Sequence, residues 1–329
     1  MSKSAAAIAH PNIAFIKYWG NREDASRLPA NGSISMNLGD LYTHTVITVP
    51  ENQRASTLWI NGKQAGDAAA SRVFDWLAWF MEYAENKRDV CVPGCVEIVS
   101  ENNFPVGAGI ASSAAAFAAL AVAMDAVMET HLTEAELSFA ARHGSGSACR
   151  SIPNGFCEWS YGSCDEDSVA FSLAPADHWN LVDLITVVSG EHKKVTSSQG
   201  HQSAKTSPLQ EARVRTAHER IAVCHQAILD KDFQTLAEVS EKDMVMMHSV
   251  MMTQNQPLFY WEPNTLQIIK AVHEWNEEGL DCFATVDAGP NVHVICTADS
   301  ETEVKSRLDK IEGIQMILRS GLGGGAHLV

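Results

Sequence analysis

Four short stretches carry residue types that could do chemistry together. In "NFPVGAGIASSAAAFAAL", residues 102–119, Gly107 and Gly109 precede an alanine-rich run that reads as a helix. The glycines let the backbone turn so that amides point inward, and the free N–H groups of a helix opening at Ala111, Ser112 and Ser113 attract anions. A triphosphate suits such a cradle, with Ser112 or Ser113 offering a hydroxyl to phosphate or to a magnesium shell. The stretch lacks the G-x-x-x-x-G-K-S/T pattern, so it is not a Walker loop, and a tight turn into a buried helix explains it as well. In "RHGSGSACRS", residues 142–151, Ser145, Gly146 and Ser147 surround a bend and Arg150 follows within a turn. Its planar fork fits a carboxylate or phosphate ligand, or a structural ion pair. "VDAGPN", residues 286–291, puts Asp287 at the end of an apolar strand, where it could take a proton from a hydroxyl or accept turn hydrogen bonds. In "NIAFIKYWGN", residues 12–21, Lys17 stands among Ile13, Phe15 and Ile16, either emerging to solvent or retained beside an anion.

Such residues need a frame to bring them together. "THTVITV" (43–49) and "STLWING" (56–62) read as strands of a mostly antiparallel sheet. Val73, Trp76, Leu77, Phe80, Met81 and Ala84 fall at helical spacing, a core stripe. A further strand precedes the alanine-rich helix, expected from about Ala111 to Met128. Thr133 and Glu136 then form a capping box for a helix that stops at Gly144. "NGFCEWSYG" and "LVDLITVVS" add strands, and a first domain of residues 1–185 is expected to close there. From Ser207 to about Met252 the pattern predicts two long helices broken near Asp230, and a third helix ends at Gly279. Strand, strand, helix and strand follow, giving an α+β second domain, residues 186–329. The glycine-rich end "SGLGGGAHLV" reads either as a mobile tail or as a segment packed near the cleft.

Composition narrows the class. The chain has 329 residues, 46% of them hydrophobic and 19% charged, enough to bury a sizeable core. Forty acidic against 24 basic side chains give a formal charge of −16, which repels nucleic acid and anionic membranes, so an anionic substrate needs a local basic pocket. No signal-type pattern or membrane-length apolar window is seen, and a cytoplasmic location is expected. Eight cysteines without a C-x-x-C pair fit scattered reduced thiols; Cys91 and Cys95 alone make a poor metal knuckle.

In chain order, from "NIAFIKYWGN" through "NFPVGAGIASSAA", "GSGSACRS" and "GFCEW" to "VDAGPN", these stretches resemble the diphosphomevalonate decarboxylase family within the GHMP kinase superfamily. The resemblance implies a two-domain α+β fold with the active site in the interdomain cleft, often as a homodimer. It implies ATP and Mg²⁺ along the loop from Pro105 through Gly107, Gly109, Ala111 and Ser112 to Ser113, with Ser113 the candidate metal contact. By position, Asp287 is implied as the base or orienting group for the 3-hydroxyl of a phosphorylated mevalonate. Lys17 would hold Asp287 or stabilise the oxyanion, and Arg150 would fix the substrate carboxylate.

Two departures bear on the substrate. Where the family usually continues "KYWG" with lysine, Asn21 stands, and "TSSQGH" puts Gln199 where an arginine is expected. Both missing cations belong to the family's terminal diphosphate pocket, and charge-assisted bonds of this kind are worth roughly 1.5–3 kcal/mol each. The expected reaction is therefore conversion of mevalonate 5-phosphate to isopentenyl phosphate. Tyr18, Asn21, Ser145, Gly146, Ser147, Ser198 and Gln199, with His201 or Lys194, would contact one phosphate. The alternatives are decarboxylation of mevalonate 5-diphosphate with Arg22 or Lys193 compensating, a kinase that does not decarboxylate, and a non-catalytic binding relative.

Overall fold

The computed structural model describes residues 3–51, 55–105, 110–189 and 197–329, without the side chains of residues 197 and 198. In chain order the first strands are β1 (Lys3–Ala9), β2 (Asn12–Ile16), β3 (Asn21–Glu23), β4 (Leu28–Pro29), β5 (Ser33–Asn37), β6 (Thr43–Val49), β7 (Thr57–Ile60) and β8 (Lys63–Gln64). They continue as β9 (Glu97–Asn102), β10 (Phe156–Trp159), β11 (Ala170–Ala174), β12 (Leu181–Val187), β13 (Cys282–Thr285), β14 (Val292–Thr297), β15 (Met316–Gly321) and β16 (His327–Leu328). The helices are α1 (Asp67–Arg88), α2 (Ser112–Met128), α3 (Glu134–Gly144), α4 (Ser197–Ser203), α5 (Gln210–Arg215), α6 (Ala217–Asp230), α7 (Phe233–Thr253), α8 (Pro263–Glu277) and α9 (Glu301–Leu308).

Three sheets of four or more strands organise the described residues, in the orders β16-β1-β6-β9-β7-β8, β11-β10-β5-β2 and β13-β14-β12-β15. In the first, β6 alternates buried and half-buried residues, because only one face meets helices α1 and α2. Helix α2 is apolar over most of its circumference, and its small alanines let it pack closely on β1 and β6 as a largely buried core helix. Strand β12 is buried along its whole length, the pattern of a central strand covered on both faces. Helix α7 touches both β2 and β13, so it bridges the second and third sheets. The class is α+β, as expected.

Several expectations change. The Thr133–Glu136 capping box forms, but the stretch from residue 207 to 252 holds three helices, since the chain also breaks at Thr216. Strand β11 went unread. The expected boundary at 185/186 falls inside β12, which pairs with β14 and β15. We propose a division before Leu181, which keeps that strand whole.

The glycine-rich end is not a tail. Strand β16 pairs with β1, Ala7 opposite Leu328, and Gly323 exchanges main-chain bonds with Asn37 and Gly155. A Cβ on Gly39 would lie 2.6 Å from the Leu322 carbonyl oxygen, so this crossing requires glycine.

Candidate active site

Lys17 follows β2 directly, at the place where that strand turns toward the second half of the chain. It is 1% exposed, and its Nζ donates to Asp287 Oδ1 at 2.7 Å. A buried ammonium is tolerated only with such a partner, which settles the choice left open above: the lysine is retained beside an anion. Its main chain is fixed from both sides. The Lys17 N–H donates to Asp243 Oδ2 at 2.7 Å, and its carbonyl accepts from Arg213 at 2.7 Å and from Asn31 Nδ2 at 3.0 Å. Arg220 Nε in turn donates to Asp243 Oδ1 at 2.7 Å.

Asp287 follows β13, in the turn that leads to β14. His248 Nε2 donates to the neighbouring Val286 carbonyl at 3.2 Å, tying that turn to α7. Burial pushes the Asp287 carboxyl up, but Lys17, His293 and Arg150 outweigh it and hold the group below the usual carboxylate range. His293 itself donates to the buried Asp183 at 2.6 Å.

Arg150 lies in the short 3-10 turn Gly146–Ser151 and is 3% exposed. Its guanidinium donates to Ser35 at 3.0 Å, to Asn12 Oδ1 at 3.1 and 3.3 Å, and to Ser33. All of these partners are neutral, and among the described residues no carboxylate comes within ion-pair distance. The structural ion pair considered for Arg150 is thus absent there, and a ligand carboxylate is the natural complement of this desolvated charge.

The remaining predicted contacts separate into two groups. Tyr18, Ser145 and Gly146 sit together: the Tyr18 ring lies where any Cβ on Gly146 would come within 2.6 Å, and Ser145 Oγ is 3.0 Å from Ser113 Oγ. The helix that begins at Ser112 therefore opens beside the serine-glycine bend. Ser147 is tied in through its carbonyl, which accepts from Asn12. Asn21 accepts from the Tyr18 hydroxyl and donates to Asp24 at 2.9 Å. Gln199 is exposed on α4, and Pro105 is exposed at the end of the segment after β9. Ala111 precedes α2 without a side-chain cap on its first turn. Gly107, Gly109, Lys193, Lys194 and the Ser198 side chain lie outside the described residues.

His201 changes role. Its ring is sandwiched at 4.2 Å from Tyr18 and 4.5 Å from Trp19, its Nδ1 accepts from the Gly20 N–H, and burial lowers it to about 3. It is a neutral acceptor and no phosphate-binding cation. Arg22 is also engaged: it lies over the Tyr161 ring and donates to the Tyr161 and Gly162 carbonyls.

Asp243, Arg213, Arg220, Asn12 and Asn31 were missed from sequence. Asp243 alone left a readable signal, a carboxylate on the buried stripe of Leu236, Ser240, Met247 and Val250 in α7.

A model of the diphosphomevalonate decarboxylase-like N-terminal domain matches residues 9–170, and one of the mevalonate 5-diphosphate decarboxylase C-terminal domain matches residues 183–318. The diphosphomevalonate decarboxylase of Debaryomyces hansenii is 38% identical over 317 residues, covering 92% of this chain and 81% of that one. The Saccharomyces cerevisiae enzyme is 36% identical over 327 residues, 94% and 82% of the two chains. The crystal structure of mevalonate diphosphate decarboxylase from Staphylococcus aureus superposes with a TM-score of 0.92 at 34% identity, covering 100% of this chain and 98% of that one. A complex of MDDEF with MVAPP, AMPPCP and magnesium has a TM-score of 0.92 at 32% identity, covering 100% and 99%. Both halves of the chain match a single lineage, and the chain belongs to the diphosphomevalonate decarboxylase family.

Proposed function

We propose that this chain uses ATP to decarboxylate a mevalonate phosphorylated at its 5-position. The observation that carries the reading is the 2.7 Å pair of the buried Lys17 with the half-buried Asp287 beside Arg150, a buried cation with only neutral partners among the described residues. Asp287 accepts a hydrogen bond from the tertiary 3-hydroxyl and orients its oxygen toward the terminal phosphorus of ATP. A carboxylate held below its usual range is a weak base, which suits a loose phosphoryl-transfer transition state where the hydroxyl proton leaves late. Lys17 keeps Asp287 ionised and stabilises negative charge as the alkoxide character grows. Departure of the new phosphate leaves cationic character at the third carbon, and Arg150 holds the substrate carboxylate so that the bond to CO₂ breaks into that centre.

ATP fits at the start of α2, where among the described residues the first turn has no side-chain N-cap and Ser113 faces Ser145. Ser113 would offer a hydroxyl to magnesium carried with the triphosphate, whose charge the ion would neutralise.

For the terminal group, the names of the relatives and the MVAPP complex support mevalonate 5-diphosphate as the substrate. A second reading, mevalonate 5-phosphate, is favoured by this chain's own residues. Asn21 and Gln199 stand where the family's cations are expected, Asp24 adds an acid beside Asn21, Arg22 is engaged at Tyr161, and His201 is neutral. Steady-state kinetics with MgATP on both substrates, following ADP and CO₂ together, decide. A kcat/KM for the diphosphate equal to or above that for the monophosphate supports the first reading, and a ten-fold or larger preference for the monophosphate, the scale of one charge-assisted bond, establishes the second. ADP without CO₂ would refute decarboxylation.

A further inference from the structure

One buried charged pair that the proposed reaction does not use lies directly behind the site. His293, on β14, donates from Nδ1 to Asp183 Oδ2 on β12 at 2.6 Å, and the two side chains are 2% and 0% exposed. In the register of the third sheet His293 stands opposite Ile185 on one side and Thr285 on the other, and Asp183 stands opposite Ile295 and Ser320. The pair therefore shares a face with Phe283 and Ile295. That face meets β2 through Phe15, whose ring centroid is 6.1 Å from that of Phe283. Two residues on from Phe15 comes Lys17, and two on from Thr285 comes Asp287. The row that runs through Phe283 and Thr285 thus ends in Asp287, with His293 one step before it.

Stability does not account for such a pair. Ions taken out of water lose their hydration, and apolar residues of similar volume in the same places are often neutral or stabilising. Asp183 is also short of partners, since its Oδ1 has no hydrogen bond among the described residues. Burial pushes its carboxyl up, and His293, ahead of Lys17, opposes that push. Against the same push on Asp287, the charge of His293 ranks next after that of Lys17 and ahead of that of Arg150. The other charged or titratable groups at this corner are Asp243 and His248 from α7 and Cys296 from β14. His248 is neutral, lowered by burial to about 4, and burial keeps the Cys296 thiol protonated.

We propose that the Asp183–His293 pair is a positioning element of the reaction: Asp183 holds the imidazole charged and in place behind the turn after β13, where it backs Lys17 in keeping Asp287 ionised. This rests on the reading that Asp287 orients the substrate hydroxyl. Lys17 bonds Oδ1 of that carboxylate. A charge acting from a short distance supports ionisation without occupying the second oxygen, which the hydroxyl needs.

Carbon-13 titration of the aspartate carboxyls, with the Asp287 resonance assigned by its loss in Asp287→Asn, reads the charge. The double variant Asp183→Val/His293→Val removes both ions and strands neither, and in it the Asp287 midpoint should move up by about one pH unit. Steady-state kinetics read the consequence. In the same variant kcat should fall about ten-fold, less than for a group touching the reacting oxygen, while the KM for ATP stays within about two-fold. His293→Lys keeps a positive charge beside Asp183 and should return the midpoint and most of kcat. A midpoint equal to wild type overturns the proposal whatever happens to kcat, because altered packing slows turnover without moving a neighbour's titration. A raised midpoint with unchanged kcat overturns it as well. Urea unfolding checks folding, and His293→Gln, which leaves Asp183 a neutral donor, carries both measurements if the double variant fails to fold.

The titration needs no substrate. If the wild-type chain decarboxylates neither phosphorylated mevalonate, the functional reading fails on its own. A raised midpoint in the variants then still upholds the link from the pair to Asp287, and a wild-type midpoint removes it.

Discussion

The Lys17–Asp287 contact makes each charge depend on the other. Asp287 is held below its ordinary value of 3.8, so the stability it contributes is fully present above about pH 4 and is lost as pH falls through its lower folded value. Its titration therefore stays out of the kcat/KM profile between pH 5 and 9. In Lys17→Met the burial remains and the partner is gone, so the Asp287 carboxyl must move up. A carbon-13 titration of the aspartate carboxyls should show one resonance shifting its midpoint upward; midpoints that match wild type would mean that the lysine does not set the charge. Asp287→Asn should abolish turnover with nucleotide binding retained. Both residues were legible because each interrupts an apolar pattern, Lys17 after "NIAFI" and Asp287 after "CFATV". Asn12 was not, since one small amide at a strand start looks like any other until Arg150 is seen across 138 residues of chain.

Helices α5, α6 and α7 act through the strand they do not belong to. Arg213 and Arg220 come from the first two, Asp243 from the third, and together they clamp the peptide units on either side of Lys17. Asp243 is fully buried, with Arg213 and Arg220 at 1% and 5% exposure. Removing its charge leaves two desolvated guanidinium groups without compensation. Asp243→Asn should therefore destabilise the chain by about 3–5 kcal/mol, as for a broken buried pair, read from urea unfolding. If the clamp positions the lysine, kcat of the folded variant falls with little change in KM. Loss of stability with unchanged kcat would restrict the triad to structure. Helix spacing announced this helical stretch but not its break at Thr216, and the partners of its charged faces lie some 23 to 226 residues away, where no local pattern records them.

At the scale of the molecule, acid should act first through buried histidines. His248 is 1% exposed and burial lowers it to about 4 from 6.5. Below pH 6.5 the unfolded chain takes up a proton that the folded chain refuses, so stability falls toward pH 4 by up to about 1.4 kcal/mol per unit from this group. His248→Gln should flatten the dependence of the urea midpoint between pH 6.5 and 4.5, and a slope equal to wild type would assign the loss to other groups. The α+β class and most elements were readable because periodicity is local. The membership of β12 and the seating of the final glycines were not, because both are decided by partners across the fold. Among the described residues no helix is long and apolar enough to cross a membrane.

The pairing of β16 with β1 also orders events during synthesis. Residues 3–9 leave the ribosome early, yet one edge of their strand gains its Leu328 neighbour only when translation has reached the far end of the sequence. Until then that edge is open, and a stalled or shortened nascent chain presents it to whatever other strands are near.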